Sequence, residues 1–412
     1  MAGKLLVFAA VLFAVCAFAG TAFAGRVPGQ YIVVVNDEFS ARAVAADHGR
    51  GAGADVLRTY RHALNGFSVR LSGAALAKMR ADDRVLLISA DHKVRAAAQT
   101  LPTGVDRIEG DLSSTASGNG SGTVNAAVAV LDTGIDLGHP DLNVVGGRNC
   151  AKGKSFEDGN GHGTHVAGTI GAKDDGNGVV GVAPGARLYS VRVLNNNGFG
   201  SWSSIICGID WVTANAAATG IKVANMSLGG SGSDGTCAST ALHRAICNSV
   251  NSARVTYVVA AGNSSANLSG FVPAAYDQVL AVTAVADFNG RPGGGASPTC
   301  RSDVDETPAD FSNFAGSADS AHTIAAPGVC IASTWKSGGY NTISGTSMAS
   351  PHVAGAAALC LAGPCAGMSP SQVMSKLRAD AAARPASYGF SGDPNSPSAG
   401  RYYGFLAYAG GY

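Results

Sequence analysis

The alternation of apolar and polar positions changes character twice along the chain. At the start, Lys4 precedes an apolar run from Leu5 to Ala19 that closes on Ala22-Phe23-Ala24. That small-x-small ending predicts an export signal, residues 1–24, removed by a signal peptidase. A membrane anchor is the alternative, but the run is short and no second span follows. Between Gly25 and Ala97 the pattern is that of a small separate unit. Tyr31–Val35 is β-rich, Ser40–His48 has helical composition, and Asn65–Leu71 alternates as a half-buried strand. Gly73–Met79 is helical again and Val85–Ile88 is a closing strand. The β-α-β-β-α-β order is the split βαβ arrangement, a small α+β, ferredoxin-like unit.

From Val124 onward strands alternate with helices. Val128–Leu131, Arg187–Leu194, Lys222–Leu228 and Val255–Ala261 read as strands. Trp202–Ala217 reads as a helix carrying Ile205, Ile206, Ile209 and Val212 on one stripe. This alternation predicts an α/β fold, a parallel sheet covered on both faces. The Gly-, Ser-, Pro- and Tyr-rich stretch Ala381–Tyr412 reads as an ordered surface tail.

Composition narrows the function. The 412 residues include 56 glycines, 46% are apolar, 14% are charged, and the formal net charge is +1. These values suit a buried core with tight loops and exclude a disordered chain or a nucleic-acid binder. Loss of the leader removes Cys16 and leaves Cys150, Cys207, Cys237, Cys247, Cys300, Cys330, Cys360 and Cys365. An even set in an exported chain predicts disulfides, and none of the zinc-ligand spacings occurs.

Four stretches carry candidate chemistry. In Ser344–His352, Ser347 sits where a loop becomes an Ala-rich helix, so its hydroxyl meets the positive end of the helix dipole. The plain alternative is an N-cap. Asp132, in Leu131-Asp132-Thr133-Gly134, ends a buried strand at the edge where parallel sheets place their chemistry; a turn-forming Asp is the alternative. In Asn160–Gly168, His162 opens a helix and is the candidate base, while His165 is expected to pack in the core. Asn263 follows the strand that ends Ala260-Ala261-Gly262, where its amide could meet an oxyanion; a turn Asn is the alternative.

Taken together, Leu131–Gly134, Gly161–His165, Asn263 and Gly345–Ala349 resemble the subtilisin-like serine peptidases, nearest their proteinase K and aqualysin group. The segment before Ala98 resembles that family's inhibitory propeptide. The chain order Asp, His, Ser is the family's own type example. The resemblance implies a subtilisin-like three-layer peptidase domain, 98–412, preceded by a propeptide domain, 25–97. It implies a secreted serine endopeptidase of broad specificity, with Ser347 as nucleophile, His162 as base, Asp132 as orienting carboxylate and Asn263 as oxyanion donor. Polypeptide substrate would add as a strand between Gly198-Phe199-Gly200 and Ser227-Leu228-Gly229. Leu228-Gly229 and Ala260-Ala261-Gly262 would wall an uncharged P1 pocket closed by Phe271, so apolar residues are expected at P1 and P4. Structural calcium is implied as well, held by Gln99, Asp141 and the acidic loop containing Asp174, Asp175 and Asn177. Thr323 stands where proteinase K-like members have an acidic ligand, so that site is expected to be absent. Asp303, Asp305 and Glu306 form a second acidic cluster, read either as an ion site or as a solvated loop.

The expected disulfides are 150–207, 237–247, 300–330 and 360–365, one of the 105 connectivities open to eight cysteines. A monomer is expected, with the propeptide as its own chaperone and inhibitor and no nucleic-acid or membrane partner. Two other classes remain in view: an inactive binding module on the same fold, and a narrow processing peptidase. Ala98-Gln99-Thr100-Leu101-Pro102 resembles the start of mature family members, which places self-cleavage after Ala97, with Ala97 at P1 and Val94 at P4. N-terminal sequencing of the active protein is expected to begin within Ala96–Gln99; a start well outside that window contradicts the assignment.

Overall fold

The structure, a computed structural model, describes residues 26–51, 53–92 and 99–412. The proposed signal segment and the cleavage sequence Val94–Ala97 lie outside the described residues. Two compact units divide between Ala96 and Ala97.

In the first unit, strands β1 (Arg26–Val35), β2 (Ala54–Tyr60), β3 (Gly66–Leu71) and β4 (Val85–His92) form one antiparallel sheet in the order β2-β3-β1-β4. Helices α1 (Ala41–Gly49) and α2 (Gly73–Arg80) complete the β-α-β-β-α-β order. Val33, Val44, Phe67, Val69 and Met79 form its core. Strand β2 had no sequence signature because its register shifts between Val56 and Arg58 and three successive residues, Leu57 to Thr59, are exposed. That irregularity erases the period-two pattern. Strand β3 is more buried than a half-buried strand: even Ser68 is covered, since β3 lies between two neighbours.

The second unit is built on a larger sheet. After the short helix α3 (Thr103–Arg107) come β5 (Ala127–Asp132), β6 (Val144–Asn149), α4 (His162–Gly171), β7 (Arg187–Arg192), α5 (Trp202–Thr219) and β8 (Ile221–Met226). They are followed by β9 (Gly230–Ser231), α6 (Ala241–Asn248), β10 (Thr256–Ala260), β11 (Phe271–Val272), β12 (Val279–Ala286) and β13 (Thr307–Pro308). Then come β14 (Thr323–Pro327), the hairpin β15 (Ile331–Trp335) and β16 (Gly339–Ile343), and helices α7 (Thr346–Ala362) and α8 (Pro370–Ala382). The sheet order is β13-β12-β10-β8-β5-β7-β6, with β14 also on β12, and every pairing except β12–β13 is parallel.

Period two along the strands decides which layer each residue enters. On β5, Val128 and Val130 join the cluster that contains Val166 of α4 and Val353 of α7. Ala129 and Leu131 join the cluster that contains Ile209 of α5 and Leu242 of α6. Both faces are therefore covered, which is why these strands read as continuous apolar runs. Helix α7 is buried along almost its whole length. Gly355 is accepted inside it because a Cβ there would lie 2.6 Å from Val182 Cβ. No described helix is long and apolar enough to cross a membrane.

Two sequence expectations need correction. The segment after α8 is no surface tail: Tyr388, Phe390, Tyr403, Leu406 and Tyr412 are buried, and Leu406 bridges in parallel to Ala325 of β14. Its backbone groups find strand partners, and its tyrosines supply the apolar area. The solvated-loop reading of Asp303, Asp305 and Glu306 also fails. All three are buried, and Asp287 joins Asp305 and Glu306 in one cluster. Arg107 donates from Nε to Glu306 Oε1 at 2.8 Å, while Phe288 N and Ala296 N donate to Asp305. Disulfides join Cys150–Cys207, Cys237–Cys247, Cys300–Cys330 and Cys360–Cys365.

Burial, and after it Glu306, push the Asp287 carboxyl up to about 7 from an ordinary 3.8. The folded state then holds a proton that the unfolded chain releases near 3.8. This contribution to stability is complete below about pH 4 and is lost as pH rises to about 7. Asp287→Asn is expected to flatten that part of the pH profile of the melting temperature; parallel wild-type and variant profiles would contradict the assignment.

Candidate active site

The candidate residues come from four chain segments that meet at the C-terminal edge of the second unit's sheet. Asp132 is the last residue of β5 and is fully buried. Its Oδ1 accepts from Thr133 N and from His162 Nδ1, both at 2.7 Å, and Oδ2 is buried without a hydrogen-bond partner among the described residues. His162 is the first residue of α4. Gly163 allows the approach, because a Cβ there would lie 2.1 Å from Gly134 O and 3.2 Å from Asp132 Oδ1. Desolvation pushes the imidazole pKa down, but the charge and hydrogen bond of Asp132 outweigh it, and His162 ends above its ordinary 6.5. Since Nδ1 is engaged, Nε2 is the nitrogen left for chemistry.

Ser347 occupies the first turn of α7. Its Oγ donates to Ser227 O at 3.2 Å, and among the described residues no hydrogen bond joins it to His162. Ser227 Oγ donates back to Ser347 O at 2.7 Å and accepts from Asn225 Nδ2 at 3.0 Å. Ser350 Oγ donates to Asn225 Oδ1 at 2.7 Å. This buried chain ties β8 to the start of α7 and fixes the backbone around Ser347. Asn263 Oδ1 accepts from Thr346 N at 2.9 Å and from Thr346 Oγ1 at 2.8 Å. With Oδ1 held, the Nδ2 donors face away from Thr346. A Cβ on Gly345 would lie 3.5 Å from Asn263 Nδ2 and 3.6 Å from Ser347 N, so both donors flank that glycine. Such a pair can hold an oxyanion.

Gly198, Phe199, Gly200, Ser227, Leu228 and Gly229 line one cavity of about 670 Å3 together with His162. Phe199 is 73% exposed at its rim. Ala260, Ala261, Gly262 and Phe271 do not line it. Leu194, Trp202, Ile205 and Gly230 do, although the sequence had marked none of them as site residues. Trp202 and Ile205 had a usable signal: they stand three apart at the first turn of α5, on the face turned to the groove. His165 is buried, with Nε2 on Ile331 O at 2.9 Å, and stays out of the site.

Gln99 and Asp141 come together at the loop after α4. Gln99 Nε2 lies 2.7 Å from Lys173 O and 3.2 Å from both Asn177 O and Val179 O. Among the described residues Gln99 Oε1 and Asp141 Oδ1 are buried with no hydrogen-bond partner, and burial raises the Asp141 carboxyl above its ordinary value. Converging carbonyls beside two orphaned buried oxygens fit a hard cation. Two of the expected ligands have other partners. Asp174 accepts from Gly118 N, Gly120 N and Gly122 N, and the Asn177 amide donates to Asp175. In that loop the carbonyls of Lys173, Asn177 and Val179 converge on the Gln99 amide.

Residues 123–400 match the Subtilase family, and residues 30–97 match peptidase inhibitor I9. Subtilisin DY of Bacillus licheniformis is 43% identical over 289 residues, spanning 69% of this chain and 92% of that protein. Subtilisin NAT of Bacillus subtilis subsp. natto is 37% identical over 338 residues, spanning 81% of this chain and 80% of that one. A solved cold-adapted subtilisin-like serine proteinase superposes with a TM-score of 0.57 at 32% identity, covering 74% of this chain and 97% of its own. With two thirds of its length in that family and an inhibitor domain ahead of it, the chain belongs to the subtilases, as a serine endopeptidase preceded by an I9 propeptide.

Proposed function

We propose that Ser347 is the nucleophile, His162 the base that becomes the acid, and Asp132 the carboxylate that orients the imidazole. Asn263 Nδ2 and the Ser347 backbone N–H hold the oxyanion. The observation that carries this reading is the 2.7 Å hydrogen bond from His162 Nδ1 to buried Asp132, which fixes the tautomer and leaves Nε2 free. In the reaction the Ser347 hydroxyl leaves Ser227 O, gives its proton to His162 Nε2 and attacks the peptide carbonyl. The imidazolium then protonates the leaving amine, and water repeats the sequence on the acyl-enzyme. Among the described residues Asp132 Oδ2 has no hydrogen-bond partner, so the buried carboxylate gains most once the imidazole on Oδ1 is charged.

Substrate lies as an added strand between the two glycine-containing edges, and the uncharged groove supports broad cleavage with apolar residues at P1 and P4. The leader acts as intramolecular chaperone and inhibitor until the chain cuts itself after Ala97. Export is supported by the apolar N-terminal run and the four disulfides. The mature domain works as a monomer. Calcium would be held by Gln99, Asp141 and the carbonyls of Lys173, Asn177 and Val179, with Asp175 beside them, and would there neutralise the buried carboxylate.

Ser347→Ala is expected to abolish turnover, fluorophosphonate labelling and self-cleavage while leaving a cooperatively folded protein by circular dichroism. Asn263→Ala should lower kcat far more than it raises KM. Loss of one such donor in the family's type member costs ~2.7–4 kcal/mol, on the order of 10²–10³ in kcat. A KM effect equal to the kcat effect would remove Asn263 from the oxyanion site. For the ion, EGTA should lower the melting temperature of the Ser347→Ala protein, and Asp141→Ala should remove that response. At a hundredfold excess over Kd the ion would add ~2.7 kcal/mol; a melting temperature indifferent to EGTA would dismiss it.

A further inference from the structure

Among the described residues, two groups of side chains bring three metal-ligating atoms within 4.8 Å of one another. One is Asp287, Asp305 and Glu306, where the Arg107 guanidinium already supplies a cation. The other is Cys237, His243 and Cys247. His243 and Cys247 stand four apart on α6 and so share a face. Cys237 comes from the exposed segment 231–240 ahead of that helix. No usual zinc-ligand spacing results, because a loop supplies one sulfur and a helix the other; folding alone assembles the group.

The imidazole is held for such a role. It is 1% exposed and stacks on Tyr276, with 3.8 Å between ring centroids and 6° between planes. Nε2 donates to Gln278 Oε1, which leaves Nδ1 as the nitrogen with the lone pair. Nδ1 is buried with no hydrogen-bond partner among the described residues, and Asp234 Oδ1 lies 3.8 Å from it. A lone pair thus faces a carboxylate beside two sulfurs, an arrangement that a cation satisfies and a hydrogen bond in this tautomer does not.

We propose that reduction of the Cys237–Cys247 bond opens a site for a thiolate-preferring divalent cation, zinc, held by Cys237 Sγ, Cys247 Sγ, His243 Nδ1 and Asp234. Two sulfurs, a nitrogen and an oxygen are donors that zinc accepts in a tetrahedral array. With Zn–S bonds of about 2.3 Å the sulfurs must part to about 3.8 Å. The exposed segment carrying Cys237 and Asp234 has room to give that distance, while α6 keeps His243 and Cys247 in place. A dithiol breaks the Cys237–Cys247 bond and closes its own sulfurs into a disulfide, so two electrons and two protons pass to the cysteines. The zinc ion then displaces those protons to solvent. Oxidation reverses both steps, the electrons returning to a disulfide, and releases the ion.

The test uses the full chain carrying Ser347→Ala, so that proteolysis does not intervene, reduced with dithiothreitol and desalted without oxygen. Added Co2+ should give thiolate-to-metal charge-transfer absorption with tetrahedral visible bands. Equimolar Zn2+ should bleach them, and the oxidised protein should show neither. Removing the other bridge that has an exposed cysteine, by Cys300→Ser with Cys330→Ser, should leave the signal intact. Cys237→Ser should weaken Zn2+ binding at least about tenfold, and Gln278→Ala, which frees the ring but removes no ligand, by about 10- to 100-fold. No charge-transfer band in the reduced protein, the same band in the oxidised one, or unchanged Zn2+ affinity in Cys237→Ser overturns the proposal. If reduction unfolds the chain, Zn2+ must restore its circular dichroism; a reduced chain that stays unfolded with the ion overturns the proposal as well.

Discussion

A carboxylate with no exposure to water governs the arrangement of the second unit. Asp132 ends β5 inside the protein, and removing such a charge from solvent costs several kcal/mol unless donors meet it. One donor is local, the Thr133 N–H; the other is the imidazole at the start of α4. Helix α4 must therefore begin against the end of β5. Gly163 permits that closeness, and the Asp158 carboxylate braces the turn before the helix by accepting from Asn160 N, Gly161 N and Thr164 N. Helix α7 then packs on α4 and on the sheet, which brings Ser347 to the same edge. The site is a consequence of satisfying one buried charge within a parallel sheet.

Much of this was legible in the residues, and what was not has identifiable causes. The strands β5, β7, β8 and β10 showed as apolar runs because they are buried on both faces, and α5 showed its stripe. Strand β6 carries Gly146 and Gly147 and is only partly buried, so it lacked a pattern. Strand β14 begins at Thr323 and was read for a missing ligand, not for its five buried residues. The order of Asp132, His162, Asn263 and Ser347 was plain because each lies in a short word with fixed neighbours. The groove was less so: Trp202 and Ile205 belong to a helix whose buried stripe is the stronger signal, and their turn toward the cavity depends on where α5 begins.

The residues of the proposed cation site show the same limit in sharper form. Gln99 and Asp141 could be named, since they are side chains. The carbonyls of Lys173, Asn177 and Val179 could not, because any residue supplies a carbonyl and only the loop's path aims it. Acidic residues in the loop drew attention instead, and Asp174 turned out to gather the N–H groups of the glycine-containing turn at Gly118–Gly122. An Asp in a loop serves backbone donors as readily as metals.

The small unit has a core of its own, built from Val33, Phe67, Met79 and their neighbours, and Gly25–Ala97 carries no cysteine. The large unit, by contrast, holds four cross-links, one of which spans 57 residues and encloses the helix that begins at His162. The two parts thus differ in what they require of their surroundings. Closing the large unit's four disulfides needs an oxidant, whereas no contact in the small unit's core depends on thiol oxidation. An environment short of oxidant would therefore leave the large unit without its four cross-links and the small unit's core unchanged.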